Sequence, residues 1–159
     1  MNSKKLNSLK PIDIFIVSSC GGHLTEILSL KQSWDFLNPI YIINSKINLP
    51  KEIKNKSFFV KHSERDLFFF INILEAFLFF FKYKPKYIIS TGAGIIVPFS
   101  IVGRYIFKVK IIYVESAASI FRPTLTGLIM KYLAHKFYIQ SEHLKKYFPK
   151  AIYKGSVLT

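Results

Sequence analysis

A Rossmann-like, doubly wound parallel α/β sheet is the fold this sequence predicts, and three observations predict it. Short apolar runs rich in β-branched and aromatic residues recur along the chain. Helical patterns or turn signals separate most of them, as in a parallel sheet covered on both faces. Glycine-bearing turns follow two of these runs directly. At 159 residues the chain holds one α/β domain and not two, and neither a repeat nor a linker divides it.

The elements follow in order. Residues 1–10, MNSKKLNSLK, form a polar, basic tail, and residues 11–159 form the single domain. Ile12–Val17 is the first strand, since the run is too short for a signal-peptide core or a membrane span. A helix over Leu24–Gln32 leads to strands at Ile40–Ile43 and Ser57–Val60. A helix over Asp66–Lys82 leads to a strand at Tyr87–Ile89, and a helix over Ile96–Phe107 to one at Ile111–Val114. Pro123–Ala134 is helical, with Pro123 suited to a first turn. A strand at Phe137–Ile139 and a helix over Ser141–Tyr147 complete the pattern.

The segment LFFFINILEAFLFFFKY, Leu67 to Tyr83, is too apolar for a helix with one sheet contact. Glu75 near its middle makes spanning a bilayer costly. It is expected either as a buried crossover helix or, by a slight preference, as one that packs one face on the sheet. In the second reading Phe79, Phe80 and Lys82 contact a bilayer interface, flanked by Lys84 and Lys86.

A net charge of +14 accompanies this apolar content. Abundant Lys, Ile, Asn, Phe and Tyr together are what an A/T-rich coding sequence yields, so part of the charge needs no function. The remainder attracts anionic lipid or a phosphorylated ligand. No nucleic-acid motif or aromatic–basic single-strand platform is present, so no nucleic acid is expected as partner. One cysteine, Cys20, allows no intrachain disulfide and suits a reducing compartment, and no metal-ligand spacing is visible. No metal or cofactor is expected.

Three motifs carry candidate chemistry. SSCGGH, Ser18 to His23, joins the first strand to the first helix, where Ser19, Gly21 and Gly22 can turn backbone amides toward an anion at a helix N-terminus. The bland alternative is a tight turn. His23 falls in the first helical turn, in place for a general base or a hydrogen-bond acceptor. STGAGIIVP, Ser90 to Pro98, sets Thr91, Gly92 and Gly94 at a second strand end, and ligands of open α/β sheets bind outside the carboxyl ends of strands. YVESAASIFRPTLTG places Glu115 after the fifth strand, where it could orient a sugar hydroxyl, take its proton, pair with Arg122, or merely cap a loop. Ser116, Ser119, Thr124 and Thr126 beside it can donate to a diphosphate or sugar. A dinucleotide enzyme is disfavoured, because G-x-G-x-x-G is absent and the second strand ends at Asn44 instead of an acidic residue.

Taken together, SSCGGHLTEIL, STGAGIIVPF, YVESAA and YIQSEHLKKYFPKAIYKGSVL resemble a known family. It comprises bacterial capsular and exopolysaccharide glycosyltransferase subunits related to the membrane-anchoring subunit of the eukaryotic two-part UDP-N-acetylglucosamine transferase. The resemblance spans nearly the whole chain. It implies the N-terminal, acceptor-binding half of a GT-B glycosyltransferase, with a C-terminal tail that docks the small UDP-sugar-binding subunit. Gly21, Gly22 and His23 match the first glycine loop, Gly92 and Gly94 the second, and Glu115 the acidic position. The end at YKGSVLT fits a passage to a separate nucleotide half.

The expected function is transfer, with inversion, of a sugar from a UDP donor on the partner to a polyprenyl-diphosphate-linked saccharide in polysaccharide biosynthesis. Peripheral attachment at the cytoplasmic face of the membrane would replace the N-terminal anchor of the eukaryotic relative. His23 and Glu115 are the catalytic candidates. Ser19, Gly21, Gly22, Thr91, Gly92, Gly94 and Ser116 would bind the acceptor or its diphosphate. Two alternatives stand beside this: a non-catalytic scaffold that recruits and stimulates a partner glycosyltransferase, and a stand-alone nucleotide-binding protein.

Overall fold

The computed structural model describes residues 12–44, 49–60 and 68–158. The basic tail at 1–10 and the expected helix start at Asp66 and Leu67 lie outside them. Seven strands form one sheet in the order β3-β2-β1-β4-β5-β6-β7, and every pairing is parallel. They are β1 (Ile14–Ser18), β2 (Pro39–Ile43), β3 (Ser57–Phe59), β4 (Tyr87–Ser90), β5 (Lys110–Val114), β6 (Lys136–Ile139) and β7 (Ile152–Tyr153). β1 is an inner strand, with Ile14 in register with Pro39 on one side and Tyr87 on the other.

The helices are α1 (Gly22–Ser29), α2 (Lys51–Lys54), α3 (Phe68–Tyr83), α4 (Ile96–Tyr105) and α5 (Leu125–Leu133). Two corrections to the expected boundaries have local causes. α5 begins after Thr124, whose Oγ1 accepts from the Gly127 amide at 2.9 Å. That cap fixes the start, so Pro123 precedes the helix and lies outside its first turn. The expected helix at Ser141–Tyr147 is a short 3-10 run, Glu142–Lys146.

Strand alternation sorts the core into two faces. Phe15, Val17, Ile40, Ile42, Ile88, Ile111 and Tyr113 pack under α3, α4 and α5, while Ile14, Ile16, Tyr41, Ile43 and Ile89 pack with Leu24 and Ile27 of α1 and with Trp34. α1 and α2 thus cover only the β1–β3 half of their face. Across β4–β6 on that side the sheet is bare of described helices and borders a cavity of about 520 Å³.

α3 settles part of the bilayer question. Phe80 is fully buried, with ring centroids 5.3 Å from Phe15, 5.3 Å from Phe107 and 6.1 Å from Phe99. It is a core residue and not a membrane contact, because it lies on the same inward stripe as Asn72 and Ala76. Phe79 is half-buried against Phe15 and Phe58. The outward stripe is instead Phe70, Leu74, Phe77, Leu78 and Phe81, all exposed, with Lys82 exposed at its end. Among the described residues no helix is long and apolar enough to cross a membrane.

Candidate functional site at the switch point of the sheet

From β1 the chain builds outward to β2 and β3, then crosses to β4 and continues to β7. The loops after β1 and β4 therefore part at the switch point of the sheet, where open α/β folds bind ligands. Gly21, at φ 90, lies in the left-handed half of backbone space and opens α1 without any side-chain cap. Gly21 and Gly22 are exposed, and a Cβ on either would meet nothing within 4 Å. The mouth of the crevice beside the first turn of α1 is thus open, and the unpaired amides of a helix start suit an anion there.

His23 joins the two glycine loops. Its imidazole lies so close over Gly92 that a Cβ there would stand 2.4 Å from its Cε1 and 2.7 Å from its Nδ1. Nδ1 is buried without a hydrogen-bond partner among the described residues. Thr91 Oγ1 donates to the His23 carbonyl at 2.9 Å, fastening the β4 loop to α1. That bond uses the Thr91 hydroxyl, and the Gly92 amide is used too, donating to Ser90 Oγ at 3.2 Å. Within the second loop, Gly94 is exposed beside half-buried Ala93 at φ 76, so Gly94 is the part of this loop left open to a ligand.

The third loop departs from expectation. Glu115 is wholly buried and turned away from the crevice. Its Oε1 accepts from the Thr124 amide at 3.1 Å, and a Cβ on Gly127 would stand 1.7 Å from its Oε2. The absence of a side chain at Gly127 is what admits the carboxyl beneath α5. Burial pushes its pKa above the ordinary carboxylate value, against the downward pull of hydrogen bonding to Thr124. Glu115 thus anchors the start of α5. Ser116 is also withdrawn, since its hydroxyl donates to Glu26 Oε1 at 2.8 Å.

Glu26 itself was missed at the level of sequence. It is buried on α1 and also accepts from the Ala117 amide at 3.2 Å and from Gln140 Nε2 at 3.3 Å. The available signal was its rarity, because the chain has 9 acidic residues against 23 basic ones. Gly21, Gly22 and Gly94 therefore stand at the open edge, with half-buried Ser19 before them and half-buried His23 at the seam between the two loops, whereas Thr91, Gly92, Glu115 and Ser116 hold the loops in place.

The chain is similar to the human protein named UDP-N-acetylglucosamine transferase subunit ALG14, 24% identical over an alignment of 191 positions that spans 99% of this chain and 88% of the human one. Among solved structures it is similar to MurG of Acinetobacter baumannii, with TM-score 0.65 and 10% identity over 80% of this chain and 41% of that one. It is also similar to S. aureus MnaA solved with UDP, with TM-score 0.68 and 12% identity over 91% of this chain and 45% of that one. These likenesses show the fold, the Rossmann-like sheet of GT-B glycosyltransferases and epimerases, and the chain spans less than half the length of either structure. The family described as "Oligosaccharide biosynthesis protein Alg14 like" matches residues 60–157, more than half of the sequence. The chain belongs to the Alg14-like family of oligosaccharide biosynthesis proteins.

Proposed function

We propose that this chain is the acceptor-binding subunit of a two-component UDP-sugar glycosyltransferase, held peripherally at the cytoplasmic face of a membrane and acting on a polyprenyl-diphosphate-linked saccharide. The observation that carries the reading is the knitting of three loops by α1 at one sheet edge, with His23 at the seam. The open amides of the Gly21–Gly22 turn and the exposed Gly94 would receive the diphosphate. His23 would take the proton of the acceptor hydroxyl as its oxygen bonds to the anomeric carbon and the bond to UDP breaks. Glu115, withdrawn under α5, holds the third loop in this reading.

The donor would come with a small partner subunit. The bare β4–β6 face would suit its docking: the cavity is lined by Trp34, Leu37, Ile89, Ile112 and Tyr138, and residues 154–157 line it too. An apolar groove with polar residues at its border matches the apolar core and polar rim of a protein interface. The test is transfer of labelled sugar from UDP-N-acetylglucosamine to a polyprenyl-diphosphate saccharide. The chain alone should give none, and activity should appear when the small partner is added. Robust turnover by the isolated chain would refute the split enzyme.

The exposed stripe of α3 would meet the bilayer, with Lys82 and Lys84 near its end available to anionic headgroups, whereas Lys86 is paired with Asp13 at 2.7 Å. Leu74→Ser with Phe81→Ser should lower partition to anionic vesicles at least tenfold, since each such side chain contributes about 1.5–3 kcal/mol on full burial. The melting temperature should barely change. Phe80→Ser should instead destabilise the fold by about 3–5 kcal/mol, as core Phe truncations do. Unchanged sedimentation of the double variant with vesicles would remove α3 from the membrane.

A further inference from the structure

Gln140 is buried just beyond β6, and all of its amide is engaged. Nε2 donates to Glu26 Oε2 at 3.3 Å and to the Glu115 carbonyl at 3.0 Å. Oε1 accepts from the Val157 amide at 2.8 Å and from Ser156 Oγ at 3.4 Å. Glu26 in turn holds the turn after β5, accepting from Ser116 Oγ and the Ala117 amide, while the Ala118 amide donates to Ser116 Oγ at 3.3 Å. The amide group is planar and rigid, so its two ends move together. An unbroken chain of hydrogen bonds thus runs from residues 156–157, which line the apolar cavity, through Gln140 and Glu26 to the β5–α5 loop.

We propose that Gln140 and Glu26 are positioning residues that couple the 156–157 segment to the Ser116–Ala118 turn, so that whatever seats against the segment sets the shape of the crevice edge. The identity of that occupant, the donor-binding partner, rests on the function proposed above. The coupling itself does not. Neither residue touches a reacting atom, and both act through the loop. A buried carboxylate is a demanding choice for this position, because burying it is costly unless hydrogen-bond donors surround it. Loss of one donor is therefore felt by the others.

Hydrogen exchange of the Ala117 amide in the isolated chain reads the coupling directly. Gln140→Met removes both halves of the relay and should speed exchange at Ala117 by about tenfold, the effect of losing one hydrogen bond. Gln140→Glu keeps an acceptor for the Val157 amide but turns an acceptor oxygen toward Glu26, so Ala117 should speed up while Val157 stays slow. Glu26→Gln can keep its oxygen for the Ala117 and Gln140 donors, with the Ser116 bond reversed so that the amide donates, and should leave Ala117 near its original rate, whereas Glu26→Ala should not. Deleting residues 156–159 should speed Ala117 while amides of β1 and β4 keep their protection.

An unchanged Ala117 rate after the deletion would overturn the proposal. So would an equal rise across β1 and β4, which would mean loss of general stability. In the reconstituted complex, partner addition should slow Ala117 exchange in the original chain and not in Gln140→Met, and this variant should raise the KM for acceptor and not for UDP-sugar. If no partner binds, the proposed function falls, and the exchange rates of the lone chain still decide the coupling.

Discussion

Gly127→Ala should be among the most destabilising single-methyl additions to this domain. The new Cβ would stand 1.7 Å from Glu115 Oε2, and the carboxyl has no exit because it is completely buried. Either α5 lifts, or Glu115 gives up the Thr124 amide that it accepts at 3.1 Å. Overpacking typically costs about 1–3 kcal/mol, and orphaning the part-buried Thr124 donor adds up to about 1–3 kcal/mol. Chemical denaturation should therefore show a loss of about 2–6 kcal/mol, enough to unfold a marginal domain. Combining it with Glu115→Ala should recover part of that loss, because the clash disappears with the carboxylate. Full additivity of the two changes would mean that they are not in contact.

The second large effect is expected at Gly92. Its φ of 139 is already unfavourable for any side chain, and a methyl group would stand 2.4 Å from His23 Cε1. The imidazole would have to rotate away, so Gly92→Ala should mimic removal of the ring. If His23 is the base, both Gly92→Ala and His23→Ala should reduce turnover of the reconstituted complex by about a hundred- to ten-thousand-fold. If it only donates or accepts one hydrogen bond, the loss should be roughly tenfold. Near-normal turnover in both would leave the domain as a docking platform, with the chemistry on the partner. Binding of the partner should be unaffected in either variant, which separates a site defect from misfolding.

Much of the fold was legible because a parallel sheet announces itself through nearly continuous apolar runs. Six strands were found within a few residues. β7 was not, since Ile152–Tyr153 is too short to show any pattern. At the site, the glycine loops were legible from their place at strand ends. The direction of Glu115 was not, because a residue just past a strand can turn either way, and the deciding feature is a glycine inside the next helix. Glu26 and Gln140 were missed for a different reason. Glu26 meets Ser116 and Gln140 at separations of 90 and 114 residues, and no local pattern carries such pairings. The stripe of α3 fell between these cases: periodicity showed that one helix face was in excess, but only packing could say that Phe80 faces in and Phe81 out.

α3 carries a geometric consequence of its own. It is the crossover between parallel strands β3 and β4, so its axis runs roughly antiparallel to the strands. At 16 residues it is about 24 Å long. If its outward stripe rests on a bilayer as proposed, a helix of that length would work as a keel, laying the strand axes along the surface instead of across it. In that proposed arrangement the switch-point crevice, at one end of those axes, would open sideways at the level of the headgroups. An acceptor would glide in along the membrane plane, diphosphate first, without its lipid chain ever leaving the leaflet, and the other sheet face would stay clear for a docked subunit.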